Sequence, residues 1–106
     1  MTSKTKAIRA LNDELRQNFA TGTALMTAGV AALGAEAVAR IVKTIAVYDD
    51  FCHANDPYEE HDFGSFEVDG HRLFFKIDLY EEPNVKDANG EPLVNRVLTI
   101  MLAEEY

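Results

Sequence analysis

The stretch Phe63-Gly64-Ser65-Phe66-Glu67-Val68-Asp69-Gly70-His71-Arg72-Leu73-Phe74-Phe75-Lys76-Ile77-Asp78-Leu79-Tyr80 decides the fold class. Two runs rich in aromatic and β-branched residues flank Asp69-Gly70. Asp-Gly as a two-residue connection favours a type I′ turn, because both central residues need positive φ. The turn dictates a register in which Val68 opposes His71, Glu67 opposes Arg72 and Phe66 opposes Leu73. One face then gathers Phe66, Val68, Leu73, Phe75, Ile77 and Leu79 as a core face. The other carries Glu67, Arg72, Phe74, Lys76, Asp78 and Tyr80. Phe74 is the anomaly there: a large aromatic among charges is either covered by another element or available to a partner.

Downstream of the hairpin, Glu81 to Pro92 holds Pro83, Asn84, Asn89-Gly90 and Pro92, which read as a mobile irregular loop or a wide hairpin connection. Arg96 to Ala103 is the last strand. It has Leu98, Ile100 and Leu102 on one face and Val97, Thr99 and Met101 on the other, so it is expected to be internal or covered by helix. Upstream, Asp49 to Asp62 has no sustained period, and Asn55-Asp56-Pro57 marks a turn. Farther back, Val38, Ile41, Val42, Ile45 and Tyr48 fall on one side of a helix that follows Gly34. Thr23 to Thr27 is short and partly β-branched and reads as a brief strand, with helix as the alternative. From Ser3 to Phe19, Ile8, Leu11, Leu15 and Phe19 recur at spacings of three and four. They form the inner face of an amphipathic helix whose outer face carries Lys6, Arg9, Asp13 and Arg16. The expected fold is one α+β domain over 1–106, with two N-terminal helices packed on a small, mainly antiparallel sheet of three to four strands.

The chain has 106 residues, 47% hydrophobic and 26% charged, as in a single globular domain rather than a disordered chain. Met1 to Arg9 is polar and basic and does not read as a secretory signal, and no apolar run reaches the ~20 residues that span a bilayer. With Cys52 as the single cysteine, an intramolecular disulfide is excluded, and a cytoplasmic location is the expectation. The net charge of −8 is split unevenly. Residues 1–48 hold six Lys/Arg against three Asp/Glu, whereas residues 49–106 hold four against fifteen. Such acidity repels phosphate backbones and attracts basic partners, so direct nucleic-acid binding and membrane association are not expected.

The segment from His53 to Asp62 gathers two histidines and four carboxylates. Imidazole and carboxylate suit zinc, manganese or iron, so His53, Asp56, Glu60, His61 and Asp62 are the candidate ligands of a metal reading. The eight-residue spacing of His53 and His61 across a proline turn matches no specific metal motif. Solvated loop acids, with Asp56 in an Asx-type turn, are the simpler account. Cys52 and His53 are neighbours whose side chains diverge, and Ser65 lacks a Gly-x-Ser-x-Gly elbow. No nucleophile set is legible, and Gly22, Gly29 and Gly34 lack the spacing of a phosphate loop. Aromatics among carboxylates make a recognition surface for a basic protein, with Asp56, Tyr58, Glu59, Glu60, His61, Asp62 and Phe74 as the partner-binding candidates.

Asn55-Asp56-Pro57-Tyr58, Glu60-His61-Asp62-Phe63-Gly64, Val68-Asp69-Gly70 and Leu98-Thr99-Ile100-Met101-Leu102-Ala103-Glu104-Glu105-Tyr106 resemble a bacterial family known as domain of unknown function 3768. Arg9-Ala10-Leu11-Asn12-Asp13 and Gly29-Val30-Ala31-Ala32-Leu33 extend the resemblance from about Ile8 to Tyr106. The resemblance implies a setting in plasmids and other mobile DNA and transfers no residue role. The leading expectation is a non-enzymatic protein-binding module without cofactor. Its mobile-element form is an inhibitor of a host restriction or CRISPR complex that uses an acidic surface. The alternatives are a metal-binding protein or metal-dependent enzyme built on segment 53–62, and a structural module that forms a homodimer through Phe74.

Overall fold

The computed structural model describes residues 2–106. Helix α1 (Ser3–Asn18) is followed by strand β1 (Thr23–Met26), the short helix α2 (Ala28–Ala31) and helix α3 (Ala35–Val47). Strands β2 (Phe63–Val68), β3 (His71–Lys86) and β4 (Pro92–Leu102) come next, and a 3₁₀ turn covers Ala103–Glu105. The strands form one sheet in the order β1-β4-β3-β2, in which the β2–β3 and β3–β4 pairs are antiparallel and β1–β4 is parallel. The α+β class and the mainly antiparallel sheet are as expected. Among the described residues the α-helices number three, because Thr27 caps a turn that the sequence reading did not assign.

The β2–β3 hairpin has the register its turn demands, from Phe66 opposite Leu73 to Val68 opposite His71. Asp69 and Gly70 both have positive φ, 53° and 79°. Arg40 of α3 clamps this turn: its Nε and Nη2 reach the Asp69 carboxylate at 3.1 and 2.6 Å. Inside the sheet, Leu73, Phe75, Leu98 and Ile100 meet Leu15 of α1 and Ile41 and Ile45 of α3, all essentially without solvent contact. Gly64 admits the close approach of two rings here, since a Cβ would collide with Phe75 and lie 2.7 Å from Tyr48. As its two apolar faces imply, β4 is internal.

Three expectations are corrected. The inner face of α1 is turned: Leu11 is exposed, while Asn12 and Arg16 are buried beside Leu15. Polar groups can occupy a buried stripe when each finds a partner. Arg16 does so in part by donating through Nη1 to the carbonyls of Ile45 (2.8 Å) and Tyr48 (3.0 Å) at the end of α3, the first of which also accepts the Tyr48 N–H, while its Nε is left without a hydrogen bond. The segment Glu81 to Pro92 is largely strand, with β3 continuing to Lys86 and β4 beginning at Pro92, so the sheet is larger than expected. A register shift between Glu82 and Lys86 absorbs the surplus residues without ending the pairing. Leu79, assigned to the core face, lies past the helices and is exposed.

Candidate functional site

Two acidic regions flank the core, and the structure treats them differently. The first is the connection from Asp49 to Asp62. Its turn is drawn by Cys52, whose carbonyl accepts from the N–H groups of Asn55 (3.2 Å) and Asp56 (2.8 Å), while Asn55 Oδ1 accepts from Cys52 N–H. Glu59 and His61 adopt left-handed conformations with φ of 59° and 57°. Such backbone is costly for residues with a Cβ and persists where surrounding bonds over-determine it.

Those bonds come from α1. Arg9 Nε donates to the Glu59 carbonyl at 2.8 Å, and Asn12 Nδ2 donates to that of Glu60 at 2.9 Å. Arg96 of β4 in turn donates to Asn12 Oδ1 at 2.7 Å. The His61 ring lies flat on Phe51, with centroids 3.9 Å apart and planes 3° from parallel. His61 Nδ1 is 2.8 Å from Asp13 Oδ1; a carboxylate only accepts, so this nitrogen carries a proton. The same Asp13 oxygen receives Arg16 Nη2 at 2.6 Å, and Arg16 also lies over the Phe51 ring at 5.1 Å. On the far side of the imidazole, Nε2 stands 3.8 Å from Asp56 Oδ2, and Asp56 Oδ1 accepts the His61 N–H at 3.1 Å.

Asp56 is 4% exposed. It is therefore an internal brace in the Asx-type manner and not a surface acid. His61 is largely covered, whereas Tyr58, a large apolar side chain, is 75% exposed, with His53 and Glu59 also in solvent. Burial raises the Asp62 carboxyl above its ordinary range; its own backbone N–H opposes the rise, and the charges of Asp56 and Asp78 add to it. Phe74 is not a bare anchor, because it packs with Phe63 at 5.2 Å and with Tyr106 at 5.4 Å on the outer face of the sheet. The five proposed metal ligands do not converge: among the described residues no group of three or more His, Cys, Asp or Glu side chains is placed to hold an ion.

Between α1 and this segment lies a half-open cleft of about 290 Å³, lined by Arg9, Phe51, Cys52, His53, Asp56 and His61 among others. It contains half of a general-base arrangement, an imidazole oriented by a carboxylate. The polar groups of its wall are mostly engaged with one another, which makes Asp13, Arg16, Asp56 and His61 a latch between α1 and the loop. Sequence reasoning placed Asp13 and Arg16 outside. An arginine and an aspartate three apart on a helix were the available signal, and the burial of Arg16 with Asp13 half-covered beside it was not readable from spacing.

The second region is the outer half of β3 and β4. Past Lys76, which is paired with Phe63, and before Val97, which is paired with Thr23, these strands have only each other as strand partners. They form a two-stranded ribbon closed by a turn in which Asp87 Oδ1 accepts from Asn89 and Glu91. Leu79 and Tyr80 are 53% and 54% exposed, and Val85, Leu93 and Val94 are also exposed. The ribbon's exposed carboxylates are Glu81, Glu82, Asp87 and Glu91, and none forms an ion pair among the described residues. The prolines and Asn-Gly step hid this ribbon in the sequence, although Leu79, Tyr80, Leu93 and Val94 continue the strand composition on either side of them.

The model of a family described as "Protein of unknown function (DUF3768)" matches residues 26–105, which take in the loop, the ribbon and the C-terminal turn. The match starts at Met26, later than the resemblance read from Ile8 onward, and leaves α1 outside. No curated protein and no solved structure matches the chain. No helix among the described residues is long and apolar enough to cross a membrane.

Proposed function

The chain belongs to this family of proteins of unknown function, and from that premise we propose that it is a non-enzymatic binding module that engages a basic protein partner through its acidic ribbon. The observation that carries the reading is the ribbon itself. Its exposed apolar side chains lie outside the buried core, and four carboxylates that form no ion pair among the described residues stand among them. An element that leaves apolar surface in water while keeping its charges uncompensated suits a partner of opposite sign. Glu59 and Tyr58, exposed on the nearby loop, extend the same acidic and aromatic character.

Basic grooves that hold nucleic acid are the surfaces such a module complements, so inhibition of a nucleic-acid-processing complex is the specific form we favour. The charge also argues against direct contact with DNA or RNA. The test is capture of partners from the source organism with wild-type protein and with a Glu81→Gln/Glu82→Gln/Glu91→Gln variant. The expected result is a basic partner retained at low salt, released as ionic strength rises, and lost by the variant. A partner held equally by both proteins at every salt concentration overturns the reading.

A further inference from the structure

We propose that the open edge of β3 between Asp78 and Glu82 takes up an extended basic segment of a protein partner as an added antiparallel strand. The inference rests on the binding reading above and specifies its geometry. β2 covers β3 only as far as Lys76, and the last backbone bond on that side runs from Ile77 N–H to the Asp62 carbonyl at 2.8 Å. Along an antiparallel strand, alternate residues aim both backbone groups to the same side. Leu79 and Glu81 therefore present their N–H and C=O groups on the side of Ile77, where no strand of the chain lies. The other backbone row, that of Asp78, Tyr80 and Glu82, faces β4.

Side chains add to this unpaired ladder. Leu79 and Tyr80, each more than half exposed, offer apolar contact on the two faces. Glu81 stands on the face of Leu79, and Asp78 and Glu82 stand on the face of Tyr80. Asp78 is the least available of these acids: its Oδ2 is shielded from solvent 3.3 Å from Lys76 Nζ without a directed hydrogen bond, although the side chain as a whole is 41% exposed. The outer edge of β2 offers less, since Phe66 and Val68 are buried, and β1 is only four residues long.

Charge selects the occupant. A second copy of the chain pairing with itself about Tyr80 would set Asp78 opposite Glu82 in both halves of the pair, and like charges directly opposed destabilise a sheet. Acidic residues on an edge block self-association in this way. They do not block a strand of opposite charge. Read antiparallel from Glu82 to Asp78, the complementary segment is basic, basic, apolar, apolar, basic. Backbone bonds supply affinity in such strand addition, and the alternate side chains supply selectivity.

The probe is a blocked peptide with the core Lys-Lys-Val-Val-Lys, compared with a counterpart N-methylated at its second lysine and second valine, the positions whose N–H groups would face β3. Binding is measured on the full chain by titration, and amide exchange is followed by NMR. The expected result is a slowing of exchange by about tenfold at Leu79 and Glu81, and about tenfold weaker binding of the N-methylated peptide. Equal binding of both peptides, with no protection at those two amides, overturns strand addition and leaves the acidic-surface reading standing. Failure of both peptides to bind at low salt overturns both. Because N-methylation alters only the peptide, the result does not depend on whether a β3 variant folds.

Discussion

The loop from Asp49 to Asp62 and the ribbon from Asp78 to Val94 are both acidic, yet they stand in opposite relations to the rest of the molecule. In the loop, Asp56 is buried on a backbone N–H, His61 is stacked on Phe51 and held by Asp13, and the carbonyls of Glu59 and Glu60 are tied to α1. In the ribbon, Glu81, Glu82 and Glu91 stay in solvent, and backbone pairing holds the strands together with Asp87 bonded to two N–H groups of the closing turn. The same residue types are structural in one place and available in the other. Charge counted along the sequence locates acidity, but only the bonds each carboxylate makes decide whether a partner can reach it.

Substitutions can break or sharpen that contrast, and the largest effect belongs to Arg16. Arg16→Met removes the donor to two α3 carbonyls and leaves Asp13 without its guanidinium, so chemical denaturation is expected to show a loss of about 3 kcal/mol or more. A loss below ~1 kcal/mol, the range of exposed ion pairs, would show that the latch is not built as described. Asp56→Ala comes next. It orphans the His61 N–H and frees a left-handed loop, at an expected cost of about 1–3 kcal/mol. Faster amide exchange is expected in residues 56–61 while the hairpin remains protected.

Asp62 tests pH dependence in the reverse sense to an ordinary paired carboxylate. Its folded pKa is raised, first by burial, so ionisation is costlier in the folded state than in the unfolded chain. That penalty is fully present above the folded pKa and is relieved as pH falls through it. Asp62→Asn should therefore raise thermal stability at neutral pH, by no more than about 1 kcal/mol for a half-exposed group, with the gain vanishing in acid. A gain that persists unchanged in acid would remove the titration from the account. The smallest stability effect is expected in the ribbon. Glu81→Gln/Glu82→Gln should change stability by less than about 0.5 kcal/mol while abolishing salt-sensitive partner binding. A large loss of stability would place the ribbon among the structural elements after all.

The legible parts of this fold were those set by local rules. Asp69-Gly70 fixed the hairpin register residue by residue, and the two-faced apolar pattern of Val97 to Leu102 marked β4 as internal. What escaped the sequence was set by contacts between distant segments. Arg16 sits inside because its guanidinium meets the carbonyls of Ile45 and Tyr48 at the end of α3, residues 29 and 32 positions away. Phe74 is covered by Tyr106, which no periodicity connects to it. Of the candidate site, Tyr58 and Glu59 were placed correctly at the surface and Asp56 accepts a backbone N–H in the Asx-type manner expected, whereas His61 carries a bond that only the α1 contact explains. The ribbon's extent was misread because proline usually ends strands: a register shift accommodates Pro83, while Asn89-Gly90 forms the turn of a hairpin longer on both sides than expected.

The parallel pairing of β1 with β4 bears on how the molecule closes. Thr27 and Glu105, 78 positions apart, are joined by a 2.6 Å hydrogen bond at the end of this seam, and β1 has no other strand to pair with. A contact of such long range gains nothing until the hairpin and β4 are already in place, so its ordering belongs to the slow, late part of folding. The β2–β3 hairpin, closed by two residues, assembles early by the same reasoning. A partial opening at the seam would release α2 and the C-terminal turn together while leaving the ribbon and its acidic edge intact.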